Sequence, residues 1–112
     1  MTMPPPLPLE LSELEQSAQS ASRLLKLMAS EPRLLLLCRL FEGEASVGTL
    51  ADHVRMARST TSQHLAKMRA EGLVATRRDA QTIYYRLDDP AAVKILDTLC
   101  EIYRTPAANR RS

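Results

Sequence analysis

Tryptophan is absent from this 112-residue chain, phenylalanine occurs once and tyrosine three times, so its core has to be packed from aliphatic side chains, as between helices. Cysteine is equally scarce. Cys38 and Cys100, 62 positions apart, are too few for a disulfide framework and rest as thiols in a reducing compartment. With three glycines there is no Gly-rich loop to cradle a phosphate, and the few Ser, His and Asp residues form no nucleophile arrangement, which excludes the enzyme classes built on either. The longest aliphatic stretch, Leu34 to Cys38, falls far short of the roughly 20 apolar residues that a membrane helix needs. The opening MTMPPPLPLELSELE carries prolines and acids where an export signal would be basic and then apolar, which points to the cytoplasm.

What is present suits one domain, with 45% hydrophobic and 25% charged residues. The net charge of +2 says little, but its placement is informative: all 15 Lys and Arg lie at or after Arg23, behind Glu10, Glu13 and Glu15. Between Arg55 and Arg86 there are seven basic residues against two acidic ones, a concentration suited to phosphate or simply to a solvated face.

Residues 1–11 are Pro-rich and aperiodic and read as a flexible tail. Ser12 and Glu15 form a capping box, after which Leu14, Ala18, Ala21, Leu25 and Met28 recur at helical spacing. Ser30 caps a second helix over 31–42, apolar almost all round and closed by Gly43, which marks it as buried on most sides. Ser46 caps a short third helix over 47–54, and three residues later a polar helix runs from Arg58 to Glu71 and stops at Gly72. Two helices so joined, the second rich in Arg, Ser, Thr, Gln and His, make a helix-turn-helix. Residues 73–78 and 82–87 read as strands around a tip of Asp79, Ala80 and Gln81, forming a wing. Asp88 or Asp89, with Pro90, starts a last helix whose Val93, Leu96, Leu99, Cys100 and Tyr103 share a face. The expected fold is therefore mainly α with a small β-hairpin, a winged helix-turn-helix of order α-α-α-α-β-β-α over residues 12–104, followed by a flexible tail over 105–112. Its first and last helices carry apolar stripes that a domain this small cannot cover alone, so a homodimer through them is expected.

The polar helix offers Arg58, Ser59, Ser62 and Gln63 from its first turns. Arg pairs bidentately with guanine and Gln with adenine in the major groove, which makes Arg58 and Gln63 the candidates for base edges. Thr61, Lys67 and Arg69 suit the DNA backbone, His64 packs near the groove, and Arg77, Arg78 and Gln81 of the wing suit phosphate or the minor groove. His53 and His64 have no second His or Cys at ligand spacing. A protein-docking module is the alternative, since winged helices serve that role too.

The segments LLKLMASEPRLLLLCRL, STTSQHLAKMRAEGLV and TRRDAQTIYYRL resemble the entry to helix 2, the recognition helix and the wing of the ArsR/SmtB family of bacterial repressors, over about residues 12–104. Within the family, the wing and VKILDTLCEIY resemble a branch of nodulation and redox-responsive regulators. The resemblance implies repression through a palindromic operator on double-stranded DNA. Ala57 stands where the family usually has a capping Ser, so Ser59 or DNA must satisfy the first-turn N–H groups, or that turn is loose. The thiol pair of the metal-sensing third helix is missing from VGTLADHV, and Asp97 and Glu101 come without histidines, so neither metal nor other cofactor is expected. Cys38 falls where persulfide-sensing members carry a reactive cysteine, but their second falls at Arg104, one turn beyond Cys100. The two thiols are thus either sensors of reactive sulfur species or oxidant, with Arg39 and Arg104 supplying positive field, or core residues. An arsenite-type thiol ligand and a non-thiol inducer remain open.

Overall fold

The computed structural model describes residues 10–103; the tail expected over 105–112, Arg104 and most of the Pro-rich tail lie outside them. Helix α1 is Leu11–Met28, α2 Glu31–Phe41, β1 Ala45–Ser46, α3 Val47–Val54, α4 Arg58–Ala70, β2 Val74–Asp79, β3 Thr82–Leu87 and α5 Pro90–Tyr103. Local chemistry accounts for most boundaries. The Ser30 hydroxyl accepts the N–H of Arg33 at 3.2 Å, the Ser46 hydroxyl that of Thr49 at 3.2 Å, and the Asp89 carboxylate that of Ala91 at 2.8 Å. Gly72, at φ +81°, ends α4, and the Leu73 N–H returns to the Met68 carbonyl at 2.9 Å.

Three expectations need correcting. The start of α1 lies earlier than Ser12: the Glu13 carboxylate accepts the N–H of Glu10 at 3.0 Å, and the Leu14 N–H reaches the Glu10 carbonyl, adding helical hydrogen bonds that a start at Ser12 would forgo. The sheet has three strands, in the order β1-β3-β2, because Ala45 and Ser46 pair antiparallel with Tyr85 and Tyr84. A two-residue strand is too short to show a period. Finally, Asp79 pairs with Thr82, so the wing tip is only Ala80 and Gln81, with Ala80 in the left-handed region at φ 57°.

The core gathers Leu36, Leu37 and Leu40 of α2, Leu50 of α3, Leu65 and Met68 of α4, Leu73, Val74, and Ala92 and Leu96 of α5. Helix α2 packs on α3, α5 and β3, so it forms the centre of the domain. It is not covered all round, however, since Leu35 is 48% exposed. Helix α1 joins the core only through its last turns, by Leu24, Leu27 and Met28, and Leu11, Leu14 and Leu25 remain exposed along it. On α5 the inward face is Ala92, Ile95 and Leu96, while Val93, Ile102 and Tyr103 are exposed. Among the described residues no helix is long and apolar enough to cross a membrane.

Candidate nucleic-acid interface

Helices α3 and α4 are joined through Arg55, whose left-handed backbone (φ 58°, ψ 52°) turns the chain after α3. Helix α4 then buries Thr61, Leu65 and Met68, spaced four and three residues apart. That fixes its rotation. Arg58, Ser59, Ser62, Gln63, Lys67 and Arg69 are left exposed on the remaining surface. Thr61 does not belong with them, although its type suits the DNA backbone. It is fully buried, and its hydroxyl donates to the Ala57 carbonyl at 2.9 Å, which satisfies the polar group inside the core.

His64 is also turned inward. Its Nδ1 accepts a hydrogen bond from Arg33 Nε at 3.3 Å, while Arg33 Nη1 donates to the Leu27 carbonyl at 3.1 Å. One arginine of α2 therefore joins the end of α1 to the recognition helix, and His64 positions α4 rather than lying in the set that faces outward. No side chain caps α4 at Ala57, and its first turn holds no acid. Ser59 does not supply the cap. The uncovered N–H groups and positive helix end are of the kind that phosphate oxygens satisfy.

The twin arginines of the wing separate by the pleat. Arg77 pairs across the ladder with Tyr84, and Arg78 with Ile83, so the two side chains leave opposite faces of the sheet. Arg77 is engaged: its Nε lies 2.8 and 3.1 Å from the two carboxylate oxygens of Glu44, and its guanidinium sits 4.6 Å from the centre of the Tyr84 ring. The donated hydrogen bonds hold the Glu44 carboxyl below the usual carboxylate range and raise Arg77 above its own. Arg77 thus braces the wing against the loop before β1, and an anion would have to compete with Glu44 for it. Arg78 shares its face with Ile83, which lines a shallow cleft of about 380 Å³ together with Arg58, Gly48 and the tip residue Gln81. Recognition helix and wing tip converge there.

Gly48 makes room for Arg58 in that cleft. A Cβ at position 48 would stand 2.8 Å from Nη2 and 3.0 Å from Cζ of Arg58, so the guanidinium lies directly over the glycine. Sequence reasoning missed both partners. Glu44 is 33 positions from Arg77 and carries no local signal, whereas a glycine inside a short helix is itself a sign of close approach. Among the described residues no three His, Cys, Asp or Glu side chains cluster to hold a metal. Cys38 and Cys100 are half-buried, on α2 and α5, two helices that pack together.

Comparison with known proteins places this geometry in context. Residues 30–76 match the model for "Bacterial regulatory protein, arsR family". The chain is 49% identical over 98 residues to the nodulation protein NolR of Rhizobium meliloti, covering 88% of this chain and 78% of that one. It superimposes on the reduced form of the transcriptional activator HlyU from Vibrio cholerae with a TM-score of 0.80 at 42% identity, over 83% of this chain and 98% of that one. With the transcriptional repressor BigR from Xylella fastidiosa the TM-score is 0.76 at 36% identity, over 85% and 97% of the two chains.

Gly48→Ala isolates the setting of Arg58. Alanine favours a helix by about 1 kcal/mol over glycine, so thermal stability is expected to hold or rise while Arg58 is displaced. Discrimination between cognate and unrelated DNA should then fall by part of the roughly 1–3 kcal/mol that a bidentate base contact supplies. Paired melting and competition-binding measurements check this, and unchanged discrimination would show that Arg58 reads no base from over Gly48.

Proposed function

The chain belongs to the arsR family of bacterial regulatory proteins, as a DNA-binding regulator and not an enzyme, and from that we propose that it is a cytoplasmic repressor that binds a two-fold symmetric operator as a homodimer. The observation that carries this reading is the outward face of α4: Arg58, Ser59, Ser62 and Gln63 are all exposed, beside a wing that presents Arg78 and Gln81. Those are the groups that base edges and phosphates recognise. Lys67 and Arg69, farther along α4, suit the backbone. A protein-docking role would have no need of this donor set.

The apolar surface supports the dimer. Leu11, Leu14 and Leu25 follow one stripe of α1 with Ala18 and Ala21, and α5 exposes Val93, Ile102 and Tyr103. Where α1, α2 and α5 meet, a hollow of about 180 Å³ is lined entirely by Leu25, Met28, Ala29, Leu34, Ile95 and Leu99. A second copy provides matching apolar side chains. Two-fold pairing through these helices sets the recognition helices about 34 Å apart, one turn of the duplex.

The packing of α2 on α5 supports a thiol switch, because Cys38 belongs to the central helix and Cys100 to a helix of the dimer face. Two protein thiols and two hydropersulfide molecules yield one trisulfide bridge, two small thiols and one hydrogen sulfide. Such a bridge reaches farther than a disulfide, which needs Cα atoms within about 7 Å. It would shift α5 against α2 and misalign the recognition helices.

Three outcomes are expected. Arg58→Ala should lose about 1–3 kcal/mol on the operator alone, whereas Arg78→Ala should weaken binding to any duplex and lower the salt slope by about one unit for each phosphate it neutralises, about two for the dimer. Identical profiles would overturn the division of roles. Sedimentation should give a dimer at micromolar concentration, and a stable monomer that still binds the operator would sink the paired-helix model. Persulfide should lower operator affinity more than peroxide does, and Cys38→Ser should abolish that response while keeping reduced-state binding. Equal loss in Cys38→Ser and the parent, or loss in neither, assigns the cysteines to core packing alone.

A further inference from the structure

A second cationic concavity lies at the other end of the recognition helix. There the polar side of α1 runs past the start of α2 and the C-terminal end of α4, bordering an open cleft of about 610 Å³. Arg23, Lys26, Arg33 and Lys67 line it, with Glu71 as its one carboxylate. Lys67 is nine residues beyond Arg58, about 13 Å along the helix axis, so this cleft is separate from the one shared by Arg58 and the wing. None of the four cations forms an ion pair among the described residues, where the bridge observed joins Arg77 and Glu44. Grouped charges of one sign repel, and an anion among them relieves that repulsion.

Arg33 distinguishes this cleft from a patch of loose surface cations. The residue is half-buried, and its guanidinium is fixed through Nε to His64 and through Nη1 to the Leu27 carbonyl, with three N–H donors uncommitted. A planar fork already held in place loses little entropy when it meets an oxyanion, and such charge-assisted bonds are among the strong ones. Volume does not limit the ligand, since small-molecule sites span about 300–1,000 Å³.

We propose that this cleft binds a phosphate-class oxyanion, supplied either by the backbone of DNA flanking the stretch read by α4 or by a free phosphorylated small molecule. Because Arg33 holds His64, an anion drawn onto its free edge alters the contact that positions the recognition helix. Occupancy is therefore visible at His64. The small-molecule source is independent of DNA binding, whereas the DNA source rests on the function proposed above.

The test uses the full chain and inorganic pyrophosphate, titrated without DNA at constant ionic strength, while the ring signals of the two histidines are followed by NMR. His64 should shift saturably and the exposed His53 of α3 should not. The double variant Arg23→Gln/Lys26→Gln, altered only at exposed positions of α1, should bind pyrophosphate at least about tenfold more weakly, as expected on losing charge-assisted contacts. In parallel, the salt dependence of binding to an arbitrary duplex is compared between parent and variant. A slope reduced by about one to two units per protomer assigns the cleft to backbone phosphate, with or without a pyrophosphate response. A saturable His64 shift with an unchanged slope assigns it to a free anion. If His64 stays still, or moves only in step with His53, and the slopes agree, the cleft binds no oxyanion and the proposal fails.

Discussion

Burial of one face of α4 is the constraint on which the rest of the structure depends. Thr61, Leu65 and Met68 are completely enclosed, and no other rotation of this polar helix would put three such side chains inside. The hydroxyl among them is tolerated because it is satisfied within its own helix, by the Ala57 carbonyl. Arg58, Ser59, Ser62 and Gln63 therefore face outward as a consequence of what faces inward. Arg33 and His64 add a second restraint, so the helix is held by apolar packing along one face and by a hydrogen bond from α2 near its middle. Groups that are to meet a rigid duplex gain from being held before it arrives.

Helix boundaries are legible in the sequence because the chemistry that sets them is local. Ser30, Ser46 and Asp89 each accept an N–H two or three residues away, and Gly72 takes a positive φ, so each signal lies within one turn of its effect. The inward turn of Thr61 is legible too, though residue type alone misleads: read back from Met68 and Leu65, the helical spacing arrives at position 61. What stays hidden depends on long-range pairing. Strand β1 exists only because Tyr84 and Tyr85 lie beside it, and nothing near Glu44 announces a guanidinium 33 residues on.

Adjacent arginines in a strand look equivalent on the page and are not. The pleat sends Arg77 and Arg78 to opposite faces, and the register then gives one of them Tyr84 and Glu44 and the other Ile83. One guanidinium becomes a brace for the wing and the other remains available at its tip. Arg58 shows the same dependence on surroundings, since its resting place exists only because position 48 lacks a side chain. The chemistry of the interface is thus written in residue types, but the division of labour among those residues is written in the ladder and the packing.

Helix α1 is a lever. Its 18 residues extend about 27 Å, yet only the turns at Leu24, Leu27 and Met28 grip the core. Geometry amplifies whatever happens at that grip: a tilt of about 10° at Leu27 displaces Leu11 by about 4 Å, over the roughly 24 Å that the helical rise sets between them. The fulcrum is the Leu27 carbonyl, which receives the same guanidinium that reaches His64, so the pivot of the long arm and the seat of the recognition helix share one side chain. A strain at Arg33 would therefore act on both at once, and at the far end of an arm this long it would change which apolar side chains of α1 a neighbouring surface engages.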